Sequence, residues 1–83
     1  MARVAVRYFG SLIEAAGVRD EIIEVPDGIA ARELRAELSL GNSAYFMRLI
    51  MAASLVMDGK QLADDAPVSG RGLITIDVMP PKW

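Results

Sequence analysis

The chain contains neither cysteine nor histidine. Without a thiol there are no disulfides, no thiolate nucleophile, no cysteine-held zinc and no iron–sulfur ligation. Without imidazole, the usual general base near neutral pH is missing as well. Aromatic residues are few, at Trp 1, Tyr 2 and Phe 2, and Lys+Arg 9 stand against Asp+Glu 11 for a net charge of -2. Neither a basic stripe nor a stacking platform can be assembled from these, so nucleic acid is not an expected partner. Long apolar runs are also missing. The most apolar stretch, Ala44 to Met57, carries Arg48 and is too short to span a bilayer. The opening Met1-Ala2-Arg3-Val4 reaches Arg7 before the apolar core of a signal peptide could form. The expectation is a cytoplasmic protein without a membrane segment.

What the chain does have is apolar residues. They make up 53% of 83 residues, enough for one compact core and too short a chain for two, so residues 1–83 are expected to form one domain. Val4, Val6 and Tyr8 alternate with Arg3, Ala5 and Arg7, which predicts a half-buried opening strand over 3–9. Gly10 breaks it, Ser11 is the expected N-cap of a short helix with Leu12, Ala15 and Ala16 inward, and Gly17 suits its C-cap. Ile22-Ile23-Glu24-Val25 reads as a second strand ended by the turn residues Pro26-Asp27-Gly28. From Ile29 to Leu38 the spacing of Ile29, Leu34 and Leu38 predicts the main amphipathic helix, with Arg32, Glu33, Arg35 and Glu37 on its other faces and Gly41-Asn42 closing it.

Tyr45, Phe46, Leu49 and Ile50 form a second apolar cluster, a short helix or an irregular packing segment. Ser54-Leu55-Val56-Met57 predicts a buried strand that turns at Asp58-Gly59 into a brief strand at Lys60-Gln61-Leu62. A polar connection over 64–68 and a Gly70-Arg71-Gly72 turn lead to the last strand, Leu73 to Met79. One amphipathic helix covers only one face of a small sheet, so the expected class is α+β, a mixed sheet wrapped on a helix in the β-grasp (ubiquitin-like) layout, with the first and last strands adjacent in its centre. Met47, Met51 and Met57 are expected core filler; Met79 alternates outward and precedes Pro80-Pro81. The adjacent carboxylates Asp64-Asp65 lie in a turn where neighbouring side chains diverge, so neither acid–base chemistry nor a metal site is expected there.

Four segments give the chain a family resemblance. Val4 to Leu12, running through Phe9-Gly10, resembles the opening strand and helix of the MoaD/ThiS small sulfur-carrier family, which includes the small subunit of molybdopterin synthase. Pro26-Asp27-Gly28 with the helix after it resembles that family's central turn and helix. Leu55 to Lys60 resembles its hairpin, with Asp58 where the family has Asn. Ile76-Asp77-Val78-Met79-Pro80-Pro81 resembles its closing strand and Pro-Pro exit. Plant-type ferredoxins share the layout but require four cysteines, which this chain lacks.

The resemblance implies a carrier rather than an enzyme, with no catalytic residue, cofactor or metal of its own. In the family, an adenylating (activating) enzyme activates the carrier's C-terminal carboxylate, sulfur replaces the adenylate as a thiocarboxylate, and a synthase large subunit takes the sulfur. By resemblance, Met79, Pro80, Pro81, Lys82 and Trp83 form the partner-binding edge and tail base, with the prolines projecting the tail from the sheet. The family tail ends in Gly-Gly, because glycine lets the backbone approach the reacting centre. Here Lys82-Trp83 follows the prolines. Two readings are therefore carried forward: a sulfur carrier of molybdopterin or thiamine type, and a β-grasp accessory or interaction subunit that has lost the diglycine tail.

Overall fold

The computed structural model describes residues 1–81. Strands β1 (Ala2–Tyr8), β2 (Asp20–Val25), β4 (Ser54–Met57), β5 (Lys60–Gln61) and β7 (Leu73–Met79) form one sheet in the order β2-β1-β7-β4-β5. Two-residue strands β3 (Ile29–Ala30) and β6 (Pro67–Val68) pair separately. Helices α1 (Ser11–Ala16), α2 (Ala31–Ser39) and α3 (Ala44–Ala52) supply the second layer. The first and last strands lie side by side and parallel at the centre, with Val6 opposite Ile76 and Tyr8 opposite Val78. The neighbouring pairs are antiparallel. This is the expected β-grasp sheet.

Strict alternation puts Val4, Val6 and Tyr8 of β1 and Ile74, Ile76 and Val78 of β7 on one buried face. Val25 and Leu55 extend it, and Leu12, Leu34, Leu38, Phe46, Leu49 and Ile50 cover it from the helices. Tyr8 meets Phe46 edge-on, ring centroids 5.7 Å apart at 81°. The Asp58-Gly59 turn has both residues at positive φ (53° and 77°), the geometry that this dipeptide suits and that sets the β4–β5 register.

The main helix begins later than its apolar spacing predicts. Ile29 and Ala30 pair with Val68 and Pro67 instead, and α2 starts at Ala31. No side chain caps it; backbone carbonyls from the 64–66 loop take its first donors, Ala31 N–H to Ala66 O and Arg32 N–H to Asp64 O, both at 2.9 Å. Ser11 is not the cap of α1 either: Gly10 occupies that position and Ser11 is the first helical residue. At the other end Gly17 is left-handed and its N–H reaches Ile13 O, as expected. In α3, Ser43 caps the start by accepting from Phe46 N–H at 3.1 Å.

Two expectations about side chains are corrected. Arg35, placed on an exposed face, is buried at 7% exposure. Ala31, Leu34, Arg35 and Leu38 follow the i, i+3, i+4, i+7 rule, so Arg35 belongs to the inward stripe. Its Nη1 donates to Ile50 O and Ala53 O, both at 2.6 Å, and so closes the C-terminal end of α3 with a positive charge. Tyr45, Met47 and Met51 are exposed rather than core, because the inward stripe of α3 is Phe46, Leu49 and Ile50 and these three fall outside it. Met57 is half-buried against the core.

Tyr8 links the core to pH. Its hydroxyl donates to Glu21 Oε1 at 2.8 Å. Burial, and then the bond to the Glu21 carboxylate, raise its pKa above the ordinary phenol value. Below about pH 10 the phenol is protonated in both folded and unfolded chains, so the contribution is fully present. Above that the unfolded phenol ionises first, and stability falls by up to about 1.4 kcal/mol per pH unit until the folded pKa is passed. Urea unfolding between neutral and strongly alkaline pH is expected to show this decline, and Tyr8→Phe to lose that share of it. Equal alkaline slopes for the two proteins would remove the assignment.

Candidate functional site

The end of β7 is where the chain leaves the sheet. Val78 is buried opposite Leu55 and Tyr8, and its carbonyl accepts from Phe9 N–H at 3.2 Å. The next residue, Met79, pairs with Ser54 and points outward at 39% exposure. Pro80 then lies against Gly10. Gly10 has φ 58° and ψ -133°, and a methyl group there would sit 2.9 Å from Pro80 Cγ. The turn out of β1 and the exit from β7 are thus packed into one another, and only a residue without Cβ fits between them.

Beside this exit lies an open groove of about 500 Å3. Its walls are Ala52 from the end of α3, Ser54 and Val56 from β4, Gln61 from β5, and Met79, Pro80 and Pro81. Of the five site residues expected from sequence, Met79, Pro80 and Pro81 share this groove, and Lys82 and Trp83 lie outside the described residues. Sequence reasoning missed Gly10, Ala52, Ser54, Val56 and Gln61 as parts of the same surface. The outward alternation of β4 signalled Val56, and glycine directly after a strand signalled Gly10, but neither pattern says which strands are neighbours.

Arg7 and Asp77 lie opposite one another on the solvent face of the sheet. Arg7 Nε and Nη2 donate to the two Asp77 carboxylate oxygens at 2.6 and 2.9 Å. The bidentate bond to Asp77 raises the Arg7 pKa further. The pair fixes side-chain direction on an exposed face, where such pairs add little stability. Asp64 and Asp65 do not act together: Asp64 turns to Arg35 Nε at 3.6 Å. Among the described residues no group of three or more His, Cys, Asp or Glu could hold a metal ion, and no helix is long and apolar enough to cross a membrane. The groove presents an apolar and amide-bearing surface beside the exit.

No protein-family model and no curated protein matches the chain. Solved structures do match it. A Pyrococcus furiosus protein assigned as molybdopterin converting factor, subunit 1, superposes with a TM-score of 0.82 at 23% identity, covering 99% of this chain and 100% of that one. Small archaeal modifier protein 1 of Haloferax volcanii gives 0.80 at 17% identity, covering 99% and 100%. The UBL domain of Plasmodium falciparum Dsk2 gives 0.58 at 13% identity, covering 93% and 96%. The chain has the ubiquitin-like β-grasp fold. Over nearly its full length that fold is similar to those of the molybdopterin converting factor subunit and the small archaeal modifier protein.

Proposed function

We propose that the chain is a ubiquitin-like carrier of the sulfur-carrier type that docks through the β7 exit on an activating enzyme or a synthase-type partner. The observation that carries this reading is the exit itself. A central strand, paired on both sides at Asp77 and Val78, ends in an outward Met79 and two prolines, braced on Gly10 and flanked by an open groove. The fixed φ of Pro80 and Pro81 sets the direction of whatever follows, and Lys82 and Trp83 are proposed to continue the docking edge. The similarity to a molybdopterin converting factor subunit and an archaeal modifier supports the reading. Catalysis then belongs to the partner, and the pathway would be cofactor biosynthesis of the molybdopterin or thiamine type, in the cytoplasm.

The test is an intact mass after incubating the native-length protein with ATP, a candidate activating enzyme and a sulfur donor. Replacement of one terminal oxygen by sulfur is the expected result. A protein that stays unchanged, but gains sulfur once Gly-Gly is grafted after Pro81, would instead be a carrier fold kept as an interaction subunit. The presence of Lys82-Trp83 directly after the prolines is the observation that keeps this second reading in play.

A narrower expectation concerns Met79. Because its side chain is exposed, Met79→Asp should change folding stability by less than about 1 kcal/mol. It should weaken partner binding about tenfold or more if Met79 is an apolar anchor. Titration calorimetry against the partner, paired with urea unfolding, separates the two; unchanged affinity would move the docking edge elsewhere.

A further inference from the structure

The sheet has one long open edge. β5 closes one side with only two residues, whereas β2 closes the other with six and pairs with β1 alone. The register decides which of its backbone groups are free. Tyr8 N–H donates to Arg19 O at 2.8 Å, and this pair continues the β1–β2 register. In an antiparallel ladder hydrogen-bonded pairs alternate, so Glu21, Ile23 and Val25 spend their backbone groups on β1. The N–H and C=O groups of Asp20, Ile22 and Glu24 therefore point away from the sheet. Their side chains are exposed on its solvent face, Ile22 at 54%.

That edge is patterned acid–apolar–acid. The strand already paired with it has the complementary pattern: Arg7 stands opposite Asp20, Ala5 opposite Ile22, and Arg3 opposite Glu24. Arg7 gives its guanidinium to Asp77 on the far side, and among the described residues neither Asp20 nor Glu24 is in an ion pair. A second copy of the chain is a poor occupant of the edge. Centred on Ile22, antiparallel pairing of β2 with itself sets Asp20 against Glu24, and parallel in-register pairing sets each acid against itself. Like charges directly opposite are destabilising. The acids thus guard the edge against self-association while leaving it open to a strand of opposite charge.

We propose that the outer edge of β2 is a strand-addition site for an extended segment of another protein whose outward side chains run basic–apolar–basic. The segment's backbone bonds Asp20, Ile22 and Glu24, and its alternate side chains face the two acids and Ile22. Neither the docking edge at Met79 nor the carrier reading is needed for this site.

The probe is the blocked peptide Lys-Thr-Val-Thr-Lys, which reads the same in both directions, with Glu-Thr-Val-Thr-Glu as control. Titrated into the full-length nitrogen-15-labelled protein, the basic peptide is expected to shift the Asp20, Ile22 and Glu24 amides and to slow exchange of the Ile22 and Glu24 N–H groups. The acidic peptide is expected to do neither. The double change Asp20→Lys with Glu24→Lys should reverse the preference, by about tenfold in affinity for each peptide. Ile22→Pro removes an outward donor that β1 does not use, and is expected to keep the fold while abolishing the exchange protection. Should that variant not fold, the surface charge reversal carries the test alone. Shifts without protection would mean loose ion pairing and overturn the proposal. Equal response to both peptides would do the same, as would concentration-dependent shifts of these amides without peptide, which would assign the edge to a second copy.

Discussion

Replacing Arg35 with alanine is expected to remove about 3–4 kcal/mol of folding stability, the largest effect of any single charged side chain among the described residues. Its Nη1 is the partner of two carbonyls, Ile50 O and Ala53 O, at the end of α3. Bonds from a charged donor contribute about 1.5–3 kcal/mol each, and truncation leaves Ala53 O without this donor and Ile50 O with only the long 3.4 Å bond from Ala53 N–H, beside a void. A chain of this length has roughly 4–12 kcal/mol in total, so Arg35→Ala should be at or near the edge of folding. Nε is buried and lies 3.6 Å from Asp64 Oδ1, close enough for ion pairing and too far for a hydrogen bond. The far side of that pair is solvent-exposed, so Asp64→Asn should cost less than about 1 kcal/mol. Arg35→Lys keeps the charge on a shorter stem and should recover part of the loss. Urea unfolding of the three variants gives the comparison. Equal losses for Arg35→Ala and Asp64→Asn would show that the ion pair, not the helix end, is what Arg35 stabilises.

The second large effect falls on the site. Gly10→Ala is expected to cost about 2–3 kcal/mol, from a backbone conformation that L side chains rarely adopt and from the collision with Pro80. Alanine at Gly59, also at positive φ, meets nothing within 4 Å of the added methyl group and is the comparison without a collision. Gly10→Ala should exceed it, and should also shift the amide resonance of Met79, because the proline must move to admit a methyl group. If partner binding runs through the β7 exit, the same variant should weaken it while Gly59→Ala leaves it intact. A Gly10→Ala protein with an undisturbed Met79 and unchanged stability would detach Gly10 from the exit.

Much of the fold can be read from alternation. Val4-Val6-Tyr8 and Ile74-Ile76-Val78 alternate so regularly that only half-buried strands satisfy them, and both are buried on the even positions as expected. Asp58-Gly59 named its own turn. The misses share a cause. Ile29 and Ala30 have helical spacing, yet they pair with Val68 and Pro67, residues far along the chain whose approach no local pattern encodes. The charge of Arg35 suggests a surface residue, although its spacing with Leu34 and Leu38 places it on the inward stripe. The hydrophobicity of Tyr45, Met47 and Met51 suggests core positions, but a helix packed on one side has room for a single stripe.

The exit divides in the same way. The outward direction of Met79 and the stiffness of Pro80-Pro81 follow from residue identity and strand period. That Gly10 is their seat, that Ala52, Ser54, Val56 and Gln61 form the groove beside them, and that β2 is left as an open acidic edge are consequences of strand order. Period and turn chemistry act between near neighbours, so the sequence alone determined which strands exist and which way their side chains face. Which strands lie together is settled by packing the buried faces into one core, and only the tertiary structure decides that.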